Sequence, residues 1–163
     1  EALGTIRLRS DVERKRLFGE QNAAAKDKLA AGIYSEDASQ ATYTRLHQLA
    51  RQILQAGFPV VIDATYLKAA QREAASEVAE ELGAPFLILD CHAPEAVIAG
   101  WLEQRQSEGT DPSDATLDVI KAQQAGREAL SSEELSHSKR VDTHDSASLD
   151  GLVEQIRQRL PGI

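Results

Sequence analysis

The sequence predicts an α/β fold in three layers, a mostly parallel sheet flanked by helices. Three observations carry that expectation. Short, nearly continuous apolar runs ending in a polar or acidic residue occur at 58–63 and again at 85–91, the pattern of strands buried on both faces of a parallel sheet. Stretches with helical apolar spacing stand between and around them, so strand and helix alternate as in βαβ units. Glycines stand where those helices should stop, at Gly57 and Gly83, and glycine readily takes the left-handed conformation of a helix end. Right-handed crossovers then place a ligand crevice at the carboxyl ends of the strands, where Asp11, Asp63, Cys91 and Thr143 are expected.

In chain order, residues 1–4 read as the last turn of a helix stopped by Gly4. Thr5-Ile6-Arg7-Leu8-Arg9 alternates polar and apolar residues and reads as a short strand, and Ser10-Asp11 can open a helix. Residues 21–33 are rich in Ala and Lys without an apolar stripe and read as a mobile helical excursion. Over 43–56, Leu46, Leu49, Ala50, Ile53 and Leu54 fall on one helical face. Helices are expected at 69–82, 94–105, 114–129 and 149–160, with a polar, lid-like stretch at about 106–113 and a last strand at 139–143.

Composition narrows the class. The 163 residues are 42% hydrophobic and 27% charged, ordinary globular proportions that argue against disorder. With 18 Lys+Arg against 26 Asp+Glu the net charge is −8, which argues against a general nucleic-acid-coating or anionic-membrane surface. The single Cys leaves no intramolecular disulfide, and no apolar stretch approaches the ~18 residues of a membrane span. With no signal peptide evident, the cytoplasm is the default compartment. The sequence holds no Met, so it reads as a piece of a longer protein or a processed form.

The run 10–19 with Asp11 before a helix and Arg14 one turn later, residues 43–46, the run Val60-Val61-Ile62-Asp63-Ala64-Thr65-Tyr66-Leu67 with Arg72, Arg105 and the stretch 111–115 resemble, in order and spacing, one family. They are similar to the P-loop kinase-like domains of the AAA-type ATPase group, related to polynucleotide kinases and often fused to an aminoglycoside-phosphotransferase-like domain. Such domains hold nucleotide phosphates on a G-x-x-x-x-G-K-[ST] loop. None of the ten glycines here is followed by Lys, so the chain reads as a truncated, single P-loop NTPase-like domain without its first strand and phosphate loop, inactive alone.

The resemblance implies ATP and Mg²⁺ as cofactors of the parent protein, and phosphoryl transfer to a hydroxyl of a small molecule or polynucleotide end. Asp11 would orient that hydroxyl or take its proton, against the alternative of a plain helix cap. Arg14 would grip an acceptor anion, the alternative being a solvated basic run. Asp63 would serve the Mg²⁺ side indirectly, as a Walker-B-like carboxylate, or cap the next turn. Thr65 and Arg72 would line the acceptor side; otherwise they are a turn residue and an exposed helix charge. Arg105 would neutralise the transferring phosphate from a lid. Related domains commonly carry another Arg where this chain has Trp101, which weakens the case for a complete lid. Asp111, Ser113 and Asp114 read as lid-end and capping residues.

Cys91-His92 lacks further ligands at metal spacing and reads as a strand-end pair. Two rivals stand beside the kinase: a non-catalytic nucleotide-sensing or protein-interaction domain, and an ATPase that passes phosphate to water. Association into a homo-oligomer through exposed sheet edges is a further expectation.

Overall fold

The computed structural model describes residues 3–18, 36–108 and 116–160. The expected excursion at 21–33 lies outside the described residues, as do Asp111, Ser113, Asp114 and most of the lid-like stretch. Elements run β1 (Ile6–Arg9), α1 (Ser10–Phe18), α2 (Glu36–Gln55), β2 (Val60–Asp63), α3 (Ala69–Glu81), β3 (Ile88–His92), α4 (Glu95–Glu108), α5 (Leu117–Ala125), α6 (Ser132–Ser136), β4 (Ser138–Asp142), α7 (Ser146–Leu149) and α8 (Leu152–Arg159). The architecture is α/β, with parallel strands flanked by helices. No described helix is long and apolar enough to cross a membrane.

The chain forms two compact units. One comprises Gly4–Tyr66 with Gln71–Ala84, the other Leu67–Ala70 with Pro85–Ile163 and the first three residues. In the first, β1 and β2 pair in parallel with Leu8 opposite Ile62 and Arg9 opposite Asp63. Leu8 turns into a core with Tyr43, Leu46 and Ala50 of α2, against which Ile53, Val60 and Ile62 pack. The alternation read at 5–9 therefore has a physical meaning. One β1 face is apolar, and Arg7 and Arg9 project from the other.

The glycine stops behave as the sequence indicates. Gly57 (φ +83°) and Gly83 (φ +61°) are left-handed. Around each, a pair of bonds closes a Schellman motif: Gly57 N to Leu54 O (2.9 Å) with Phe58 N to Ile53 O (3.1 Å), and Gly83 N to Glu80 O (3.0 Å) with Ala84 N to Ala79 O (2.8 Å). A methyl at Gly57 would meet no atom within 4 Å, so its cost is conformational alone. Gly57→Ala is expected to lower unfolding free energy by about 1 kcal/mol, measured by urea denaturation.

In the other unit, β3 and β4 pair in parallel from Ile88 opposite Ser138 to His92 opposite Asp142. Thr143 continues that edge, its N–H and Oγ1 both donating to His92 O (2.8 and 3.0 Å). Buried side chains here include Val141 of β4, Leu102 of α4 and Ile156 of α8. The helix expected over 149–160 is α8, starting three residues later after its N-cap Gly151 (φ +72°), and the short α7 precedes it. That expected at 114–129 spans only Leu117–Ala125, where Thr116 Oγ1 caps the Val119 N–H at 3.4 Å. The Ser/Glu-rich turn before β4 contains α6, with a capping box between Ser131 and Glu134.

Candidate functional site

The parallel register at Arg9 and Asp63 sends both strands out at the same edge of their sheet. Beyond Arg9 the chain enters α1, so Asp11 and Arg14 follow β1 directly. Beyond Asp63 come Thr65 and Tyr66. Five of the six site residues suggested by sequence thus belong to one unit, and Arg105 belongs to the other.

Asp63 ends β2 with its side chain 44% exposed. It is not an isolated carboxylate. Oδ2 accepts from Arg7 Nη2 and from Arg7 Nε at 3.1 Å, and Arg9 Nε lies 3.6 Å away. Two arginines two apart on β1 face the same carboxylate because parallel register and strand pleat put all three on one face. Sequence reasoning did not pair them, since the pairing depends on a strand register that local pattern does not encode.

Asp11 is half-buried in the first turn of α1. It is not the residue preceding the helix, which begins one position earlier at Ser10. Arg14 is half-buried, with its Nε shielded from solvent, and Arg16 binds Glu13 across one turn. The basic run at 14–16 is therefore not simply a solvated face. Glu13, which the sequence did not single out, is only 3% exposed and also has Arg45 of α2 at 3.8 Å. It lines a cleft of about 610 Å³ between α1 and α2 with Arg16, Asp37, Gln40, Arg45 and Gln48. Neither Asp11 nor Arg14 lines that cleft.

Behind Asp63 the structure builds a cluster that sequence pattern did not reveal. Tyr66 has φ +44°, unusual for a residue with a bulky side chain. Its N–H donates to Tyr43 Oη (3.0 Å), and its carbonyl accepts from Arg72 Nη1 (3.1 Å). Its phenol oxygen pairs with His47 Nε2 (3.2 Å). Tyr43 Oη also pairs with Thr65 Oγ1 at 3.3 Å. The Tyr43 and Tyr66 rings meet edge to face at 5.1 Å, and the His47 ring stacks on Tyr66 at 6.2 Å. Thr65 itself is exposed. Arg72 is only 5% exposed, so the exposed helix charge that sequence allowed is excluded, and its guanidinium holds backbone.

Burial, with Tyr43 nearby, pushes the Tyr66 phenol above its ordinary range, and burial aided by Arg51 pulls His47 below its ordinary 6.5. The pair is therefore a neutral phenol against a neutral imidazole. Because the folded His47 pKa is depressed, the unfolded chain takes up its proton first as pH falls. His47 accordingly supports stability above pH 6.5 and withdraws it as pH drops from there through the lower folded value. Urea midpoints between about pH 5 and pH 8 should show that acid-side decline, flattened in His47→Gln.

Past Tyr66, the backbone at 67–69 is tied to Glu128, whose N–H donates to Leu67 O (2.8 Å) and whose Oε2 accepts from Ala69 N (2.7 Å). In the same unit, Asp90 of β3 accepts from His92 Nε2 (2.7 Å) and from Arg127. Burial raises the Asp90 pKa, but the bonds from His92 and Arg127 outweigh it and hold the carboxyl below its usual range. That pairing gives His92 a structural partner, in keeping with the strand-end reading of Cys91-His92. Arg105 is half-buried in the last turn of α4, and Trp101 on the same helix is exposed.

Asp63 Oδ2 lies against the guanidiniums of Arg7 and Arg9, and among the described residues no three His, Cys, Asp or Glu side chains gather together.

Parallel strands flanked by helices, with acidic and basic side chains at the carboxyl edge of β1 and β2, fit the architecture of a P-loop kinase-like domain. The chain belongs to the family described as an AAA domain, which it matches over residues 1–130. Its fold is similar to that of a gluconokinase from Sinorhizobium meliloti 1021, at a TM-score of 0.61 and 18% identity, covering 96% of this chain and 83% of that one. No curated protein matches this chain.

Proposed function

We propose that the native protein containing this chain transfers the γ-phosphoryl group of ATP, with Mg²⁺, to a hydroxyl of an acceptor. The observation that supports this best is the shared edge of β1 and β2, where α1 with Asp11 and Arg14 follows β1 directly, Asp63 ends β2 and Thr65 lies two residues beyond. Asp11 orients the acceptor hydroxyl or accepts its proton, Arg14 binds an acceptor anion, and Thr65 offers a hydroxyl on the acceptor side. Asp63, set between Arg7 and Arg9, carries the charge balance of that edge. The 163 residues contain no G-x-x-x-x-G-K-[ST] loop to hold the nucleotide phosphates. Mg²⁺ would supply charge neutralisation at the nucleotide phosphates when bound.

Likeness of fold to a gluconokinase makes gluconate the first acceptor to try; nucleosides, polynucleotide ends and other polyols follow. ADP release from Mg·ATP by the native protein is expected to rise on adding the correct acceptor. Release that no acceptor raises favours an ATPase, and absence of release favours a non-catalytic domain. Trp101, exposed where related lids carry Arg, is the observation on the side of that last reading.

A further inference from the structure

We infer that Tyr66 is a positioning residue: its left-handed backbone, locked from three sides by Tyr43, His47 and Arg72, sets how Thr65 and Asp63 are presented at the acceptor edge. This rests on the phosphotransfer reading above.

A connector from a strand to a helix has no general need of a positive φ, and where it has one, Gly or Asn normally supplies it. Here an aromatic residue sits at φ +44°, and a strained backbone persists only where its surroundings over-determine it. They do so at every polar group of the residue. The N–H is held by Tyr43, the carbonyl by Arg72 and the phenol by His47. Two of these come from α2 and the third from α3, so the loop is pinned between helices on both sides of it in the chain. All three holding side chains are buried, at 4%, 9% and 5% exposure, where hydrogen bonds are least diluted by water.

The clamp reaches outward through a single atom. Tyr43 Oη holds the Tyr66 amide and also Thr65 Oγ1, so one buried phenol fixes the strained turn and the exposed residue beside it. Asp63 is two residues before Thr65, which leaves Ala64 alone between the β2 ladder and the clamp. A loop pinned this closely keeps its side chains in one geometry before an acceptor arrives, which is where orientation contributes to rate.

The test separates holding from mere stability. Tyr43→Phe keeps the buried ring and removes the oxygen, and Tyr66→Phe removes only the bond to His47. In Tyr43→Phe the Tyr66 amide should exchange with deuterium about tenfold faster by NMR. The kcat for ADP release from Mg·ATP by the native protein, with water alone and with gluconate, should fall about tenfold with KM for Mg·ATP unchanged. Tyr66→Phe should show a smaller loss in the same direction. Faster exchange with unchanged kcat makes the clamp structural only and overturns this inference while sparing the phosphotransfer reading. Unchanged exchange in both variants overturns it too. A native protein that releases no ADP overturns both.

Discussion

Asp63→Asn should cut ADP release by the native protein at least about a hundredfold, the scale expected when a charged group at a phosphoryl-transfer centre is neutralised. Its stability should change by less than about 1 kcal/mol, because pairs between side chains this exposed contribute little. Asp63 is 44% exposed and its main partner Arg7 is 60% exposed. Asn keeps the shape and can still accept from Arg7, so β1 and β2 remain paired. The divergence between a large kinetic and a small thermodynamic effect is the informative result. If turnover is unchanged, Asp63 is an interstrand ion-pair partner of Arg7 and Arg9 and nothing more, and its place in the proposed reaction is lost. Asp11→Asn offers an independent comparison, since Asp11 lies on α1.

Arg72→Leu should show the opposite balance, destabilising the protein by about 2–4 kcal/mol in urea denaturation. Arg72 is 5% exposed and its guanidinium donates to Tyr66 O at 3.1 Å. Leucine fills part of its volume but leaves that carbonyl without its donor, next to a backbone already at positive φ. A part-buried carbonyl stripped of its partner loses up to roughly 1–3 kcal/mol, and relaxation of the turn disturbs the packing of Tyr66 on Tyr43. Arg72→Lys keeps a charged donor on a shorter reach and should fall between the two. A loss below about 0.5 kcal/mol for Arg72→Leu, the size of an ordinary surface substitution, would show that the buried guanidinium does not support the turn.

Much of the scaffold is legible in the sequence because its signals are local. The apolar spacing in α2 requires only its own residues, and Gly57 marks its end by what glycine's missing side chain allows. The apolar runs that become β2 and β3 carry the same kind of information. Gly151 held a comparable signal near the start of 149–160, and there its left-handed backbone delays the helix to Leu152. The site is less legible because its contacts join distant positions. Arg7 meets Asp63 across 56 residues, and Tyr43 meets Tyr66 across 23. A buried Glu13 looks in sequence like one more charge on a polar helix, since only the arrival of Arg45 from α2 reveals it as enclosed. Thr65 and Arg72 were singled out through family resemblance, yet the residue that joins them, Tyr66, has no sequence signature for its positive φ.

Phosphorus NMR of the native protein, incubated with Mg·ATP and a panel of hydroxyl acceptors headed by gluconate, tests phosphoryl transfer at this edge without an intermediary. Transfer to a hydroxyl predicts a new phosphate-ester resonance growing with ADP, dependent on acceptor and suppressed in Asp63→Asn and Asp11→Asn. Growth of inorganic phosphate alone, indifferent to every acceptor and to both substitutions, would contradict it.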